Sequence, residues 1–361
     1  MAQQNVTALG GGAGGSVRED LANFISNIDR DETPLSSMIG TTTATSTYHD
    51  WLTDQYNDPI GQTVAEGAAF LPFATPEQGS AAAGTRSVMT SRTRLRNFTQ
   101  IFREQIEVSN TSIAVNTAGV ANEYAYQLKK KGVEVRRYRE FQLVLFGANS
   151  VKNENGQVRR LASLPSWIGG EGTSSSPFNI VNAATAGSPS TTYNTPGTGN
   201  STPTFAGTAA PFAREHVETL VSRMYVNGGK PNILMTSARR RTSVSNVFNS
   251  DSTTGPASNT SIRRLDSMES KLNISIAAVI TDFGVDLGIV PNYIMDHANG
   301  PGNTDIMYMF DSAALKTAML RPLHTTKLDD AGDGKRGMIV EECTLQVMNP
   351  NSVGIIARLA A

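Results

Sequence analysis

Between Thr111 and Phe146 the apolar residues Ile113, Val120, Tyr124, Leu128, Val135, Tyr138, Phe141 and Leu145 recur at spacings of three, four or seven. That period predicts one face of a single helix. Asn110 stands where a cap belongs and Gly147 where the helix should stop. At the usual helical rise such a rod would be roughly 54 Å long. Gly119 and Gly132 sit inside it, each costing about 1 kcal/mol relative to alanine, so they mark bends or close approaches. The rest of the chain has to be read around this rod.

Before it come two segments that cannot stand alone. The N-terminal "GGGAGG" has no means of burying a core. Ser16 and Glu19 then form a capping box, Leu21, Phe24, Ile25 and Ile28 give an apolar stripe, and Pro34 ends the helix they predict. A short one-sided helix on a flexible arm needs a surface to dock on, so Phe24 and Ile25 are candidate subunit contacts. "TSTYHDWLTDQYN" and "TRSVMTSRTRLRNFTQIFREQIEVS" read as extended arms of a long hairpin with a Gly-, Ala- and Pro-rich tip. Arg92, Arg94 and Arg96 at period two face one side, as if to meet acids on a neighbouring chain. An isolated hairpin is marginal in water, so this one should lean on a neighbour.

After the rod, "NGQVRRLASLPSWI" reads as a loop with a short apolar motif (Leu161, Leu164, Trp167, Ile168). The small, polar stretch up to Ala210 offers too little burial to offset its ordering entropy, so it reads as a surface insertion. Order resumes at Pro211, which suits a helix start; Phe212, Val217, Leu220, Val221 and Met224 form that helix's apolar face. "PNILMTS" is a short buried strand, "ARRRTSVSNVFN" a second helix, and "RRLDSMESKLN" precedes further strands. Ile339, Glu341, Cys343, Leu345 and Val347 fall on one strand face. The class is α+β.

Composition narrows the function. Of the 361 residues 17% are charged and the net charge is −1, a poor device for keeping a free monomer in solution. That fits a surface largely covered by partners, and it does not point to nucleic acid as the main ligand. One cysteine, Cys343, excludes an internal disulfide framework. No apolar run is long enough to span a bilayer, and the N-terminus lacks the pattern of a signal peptide. The expectation is a soluble protein made in a cytoplasm, without a membrane partner.

No chemical motif survives inspection. "GGGAGG" has no preceding strand, "GDGKRG" is not a phosphate loop, and a calcium loop starting at Asp329 fails at Ala331 and Val340. Asp282, Asp286, Asp296 and His297 invite a metal-dependent α+β hydrolase. Gly284, Gly288 and Pro291 among them are instead the material of a turn between strands, and nothing encloses the acids. No catalytic residue, metal or cofactor is expected. Lys129, Lys130, Lys131, Arg136, Arg137 and Arg139 are the best hint of an anionic partner. The competing reading is a solvated face paired with Glu123, Glu134 and Glu140.

The order of elements carries more than any motif. "NTAGVANEYAYQLKKKGVEVRRYREFQLVLFG" resembles the spine helix of the tailed-bacteriophage major capsid proteins with the Hong Kong 97-type fold. "PFAREHVETLVSRMYVNGGKPNILMTSARRR" is similar to the start of their axial domain, and "GMIVEECTLQVMNPNSVGIIARL" to the strand returning to their peripheral domain. The resemblance covers nearly the whole chain. It implies an N-terminal arm over 1–47, an extended hairpin over 48–108 and a peripheral domain over 109–168. A surface insertion over 169–210, which departs from the family pattern, an axial domain over 211–330 and the returning strand over 331–361 complete the division. It further implies self-assembly into pentamers and hexamers of an icosahedral shell around double-stranded DNA, in a virion built in the host cytoplasm. The partners it implies are a separate scaffolding protein, a portal and a decoration protein, with Lys129, Lys130, Arg136 and Arg137 facing DNA. A related shell filled with enzyme cargo is the alternative. Some members cross-link a hairpin lysine to a neighbour's asparagine; no lysine lies between Asp50 and Asn97, so no such bond is expected here.

Overall fold

The computed structural model describes residues 27–56, 66, 92–115, 120, 122–152, 156–170, 177–183, 198–199, 203, 209–249, 278–298, 306–329 and 332–359. The arm residues Leu21, Phe24 and Ile25, the hairpin tip and "RRLDSMESKLN" lie outside them. The chain begins with α1 (Pro34–Met38), β1 (Gly40–Thr43), β2 (Tyr48–Thr53), β3 (Thr93–Phe98) and β4 (Gln100–Ser109). Next come α2 (Asn110–Ala114), α3 (Glu123–Val144), a 3-10 turn at Leu164–Trp167 and β5 (Ile180–Asn182). α4 (Arg214–Val226), β6 (Ile233–Thr236), α5 (Ala238–Asn249), β7 (Ala278–Ile280), β8 (Asp286–Pro291) and α6 (Ile294–Ala298) follow. The chain closes with β9 (Met307–Phe310), β10 (Leu315–Leu328), β11 (Gly334–Val347) and β12 (Val353–Ala357).

Two helices stand where the periodicity predicted one, because each carries its own cap. The Ser109 hydroxyl accepts from Ser112 N–H at 3.2 Å, and the Asn122 side chain accepts from Ala125 N–H at 3.1 Å. Asn110, expected as the cap, is the first residue of α2. The spine is therefore α3 alone, 22 residues and roughly 33 Å long. It ends as expected: Leu145 is extended and Gly147 takes φ +85°. Gly132 marks neither a bend nor a close approach: it lies within continuous helix, and a Cβ there would meet the Ile339 side chain at an ordinary contact distance of 3.9 Å.

α3 lies on a four-stranded sheet ordered β1-β10-β11-β4, in which β11 runs antiparallel to both β10 and β4. Phe102, Ile106 and Val108 of β4 are buried while Ile101 is half exposed, so the expected alternation holds there. On β11 the residues between the expected inward ones are buried too, Val340, Glu342 and Thr344 among them. The second hairpin arm is not one strand. It breaks at Thr99, after which β4 leaves β3 for β11. Where β4 pairing ends, at Cys343, side chains of the hairpin take over the exposed carbonyls of β11. Asn97 Nδ2 donates to Leu345 O at 2.7 Å and the Trp51 indole to Val347 O at 2.8 Å.

The second sheet, ordered β5-β12-β9-β6-β8-β7, packs against α4. Phe212, Val217, Leu220, Val221 and Met224 are buried, as their spacing predicts. α4 starts at Arg214, and the Ala213 N–H donates to His216 Nδ1 at 3.1 Å. This sheet corrects the expected surface insertion, because β5 lies within 169–210 and pairs in parallel with β12. Leu161, Leu164, Trp167 and Ile168, read as a loop motif, are fully buried. Gly199 closes over Trp167: it has φ +74°, donates to Ser166 O at 3.0 Å, and a Cβ on it would come within 2.6 Å of the indole. The expected boundary at residue 330 also shifts, since β10 joins the first sheet and β12 the second.

The two layers meet at a buried carboxylate. Glu140 accepts from Leu35 N–H at 2.7 Å, from Ser36 N–H at 2.8 Å and from Asn292 Nδ2 at 2.7 Å. It thus ties the root of the N-terminal segment to α3 and to the link between β8 and α6. The expectation that Glu140 pairs with cations on a solvated face is overturned, because burial forces it onto fixed neutral donors. Glu140→Ala leaves these donors unpaired and should lower unfolding stability by about 3 kcal/mol, read from the shift in guanidinium midpoint. His216 gives a pH dependence: burial lowers its pKa, Glu215 opposing weakly, and Nδ1 is committed as an acceptor. Its contribution is complete above the unfolded pKa of about 6.5 and is lost as pH falls below that value. The denaturation midpoint should drop between pH 7.5 and 5.5, by less in His216→Gln.

Candidate assembly surfaces

The hairpin base has two chemically different faces. His49, Trp51, Leu95 and Asn97 point towards β11, whereas Tyr48, Asp50, Leu52, Arg94 and Arg96 point away from it. Asp50 pairs with Arg94 and, through two contacts of 2.7 and 3.1 Å, with Arg96. The Arg96 hydrogen bond, with help from Arg94 and against some burial, holds the Asp50 carboxyl below the usual carboxylate range. Arg92 lies 3.5 Å from Asp54, and the Arg96 guanidinium sits 4.8 Å above the Tyr48 ring. The arginine row does face one side, but the acids it meets are on the opposite strand of its own hairpin. Cross-strand pairing at Asp50↔Arg96 and Leu52↔Arg94 places these side chains next to one another on one face. Tyr48 and Leu52 remain exposed among the charges.

The hairpin is anchored by a second buried carboxylate that the sequence reading passed over. Glu342 accepts from Thr99 Oγ1 and Arg321 Nε, both at 2.8 Å, and pairs with Arg159. Arg159 Nε also donates to Thr99 O at 2.5 Å. Its neighbour Glu341 points to the other face and pairs with Arg139 of α3. The available signal was two adjacent glutamates inside an apolar strand, which need cations on both faces if the strand is buried. Cys343 beside them is buried, and burial pushes its thiol well above the ordinary range, so it is a structural residue and not a nucleophile.

The basic run on α3 divides. Lys131 pairs with Glu134 at 2.6 Å and Glu104 at 3.2 Å, and Arg139 is spent on Glu341. Arg137 lies 3.7 Å from Asp29 and 5.7 Å from the Tyr293 ring centre. Lys129, Lys130 and Arg136 are exposed. Between α3 and α6 opens a cleft of about 470 Å³ with an apolar floor of Tyr138, Phe141, Tyr293 and Ile294. Glu134, Arg137 and His297 complete its lining.

The four candidate catalytic residues are not brought together. Asp282 is exposed in the β7–β8 turn, where Gly284 takes φ +70°, and its nearest cation is Arg214 at 3.6 Å. Asp286 begins β8, whereas Asp296 and His297 lie on α6 beyond its far end. Among the described residues no three His, Cys, Asp or Glu are grouped to hold a metal. The stretch is a hairpin, as its glycines implied, followed by the short helix α6, which they did not. Phe24 and Ile25 fall outside the described residues.

Two packed layers, a long spine helix and a charged hairpin lying across a central strand define a capsid-shell subunit. A family model described as SU10 major capsid protein matches residues 2–360, and the chain belongs to that family. It is similar to the major capsid protein of Escherichia phage Phieco32, at 25% identity over 353 residues covering 93% of this chain and 92% of that one. Among solved structures it resembles the Cyanophage A-1(L) capsid asymmetric unit, with TM-score 0.59, 11% identity and coverage of 96% and 98%. It also resembles a capsid titled as that of a native GTA particle computed with C5 symmetry, with TM-score 0.55, 11% identity and 96% of each chain. Mycobacterium phage Adephagia gives TM-score 0.54 at 11% identity and 96% of each chain. The fold is the Hong Kong 97 type, and the protein is a phage major capsid protein, a virion component.

Because Asp282 is a turn residue, Asp282→Ala should change stability by less than about 0.5 kcal/mol, measured by chemical denaturation. Metal analysis of the same two proteins should find no stoichiometric ion in either.

Proposed function

We propose that this chain assembles as pentamers and hexamers into a closed icosahedral shell around double-stranded DNA. The observation that carries the proposal is membership of the major capsid family over residues 2–360. The hairpin's outer face supports it, since paired charges around the exposed Tyr48 and Leu52 suit a contact between copies. In this reading 1–47 is the arm, 48–108 the hairpin, 109–168 with β10 and β11 the peripheral layer, and 211–310 with β5 and β12 the axial layer. Arg92, Arg94 and Arg96 act at the subunit contact as a row already neutralised in part by Asp50 and Asp54. Phe24 and Ile25 belong to the arm's own contacts.

The subunit works as a structural element with no catalytic centre. A scaffolding protein guides assembly in the host cytoplasm, a portal occupies one vertex, and a decoration protein covers the outer face. DNA is cargo held by the volume of the shell, consistent with a net charge of −1, and no hairpin lysine is present for a covalent bond to a neighbour. Negative-stain microscopy of the protein expressed with its scaffold should show closed shells or rings of five and six; uniform monomers at high concentration would refute assembly. Arg94→Glu with Arg96→Glu should reduce shell yield several-fold while leaving the circular dichroism of the subunit unchanged.

A further inference from the structure

We infer that the cleft between α3 and α6 is the seat of the chain's own N-terminal arm, with Phe24 and Ile25 filling its apolar floor and the acids before them meeting Lys130. Three observations converge. The arm root already runs along α3 in a fixed direction: Leu35 and Ser36 sit on Glu140, and Asp29 sits on Arg137. Arm numbers and α3 numbers fall together, so from Ser36 back to Asp29 the described arm heads toward the Glu134 end of α3. The described arm also touches the cleft lining. Arg30 O accepts from the Tyr293 hydroxyl at 2.7 Å, and both Arg137 and Tyr293 line the cavity.

The dimensions agree. Phe24 and Ile25 precede Asp29 by four and five residues, about 7 Å as helix and no more than about 17 Å extended. Ile28, the last residue of the arm's apolar stripe, is 97% exposed, so the stripe gains burial only if the preceding residues find a surface. Tyr138 on the floor is likewise 46% exposed. The charges agree as well. Lys130 lies seven residues before Arg137, on the same side of α3 two turns away. Glu19 and Asp20 precede Phe24 by five and four residues. The exposed lysine then serves the arm's acids, as Arg137 serves Asp29, and not packaged DNA.

The test is a disulfide in the full-length chain. Phe24→Cys combined with Tyr138→Cys leaves Cys343 as the one other thiol, which is buried. Mild oxidation should give a bridge within one chain, seen as an unchanged mass on a non-reducing gel and a linked peptide by mass spectrometry. Phe24→Cys with Leu323→Cys, on exposed β10, should not bridge. A band of doubled mass would overturn the inference in favour of a second copy's arm in the cleft. Absence of any bridge, with Lys130→Glu weakening salt-sensitive DNA binding by assembled shells, would overturn it in favour of the DNA-facing reading.

Discussion

Everything in the molecule is organised around a carboxylate that gives up water for three neutral donors. Glu140 lies in the spine helix, yet its partners come from the chain's N-terminal segment and from the connection leaving β8. A buried charge tolerates this exchange only when its donors are held in place. Conversely, the donors are held because the charge is there. The arm root, the spine and the second sheet therefore share one polar tie within the apolar core that Leu35, Val135, Leu143, Met235 and Ile294 already form.

Glu342 repeats the logic at the other end of the first sheet. Arg159, Arg321 and Thr99 converge on it from the segment after the spine, from β10 and from the hairpin base. Asn97 and Trp51 then cap carbonyls that β4 leaves unpaired. A two-stranded hairpin, marginal by itself, thus has a rigid root while its outer face stays open. The fixed inner face and the open outer face are thus separated across one pair of strands.

The sequence made the spine, the α4 face and the hairpin's period-two pattern legible because each is a local rhythm of apolar residues. It hid whatever depends on pairing across distance. Glu140 sits among alternating charges and reads as solvated until Leu35 and Asn292 arrive beside it. "SLPSWI" looks like a loop because its partners, Gly199 and the strand after Asn351, lie far along the chain. The helix break was within reach, since Ser109 and Asn122 are both good caps, but an unbroken apolar period outweighed them. The arginine row shares one side as its period implies, whereas its in-chain partner Asp50 gives no local signal because it is 46 residues from Arg96.

The central strand of the first sheet is also nearly the last to be made. β4 waits for β11 across more than two hundred residues of chain, Glu107 for Arg336 among them. Until Val347 leaves the ribosome, β4 has no β11 to pair with, Trp51 and Asn97 have no carbonyls to cap, and the hairpin has no root. A chain that stops early therefore lacks the support for the hairpin's outer face. Sequence order alone thus makes the rigid root of an early hairpin conditional on a strand made more than two hundred residues later.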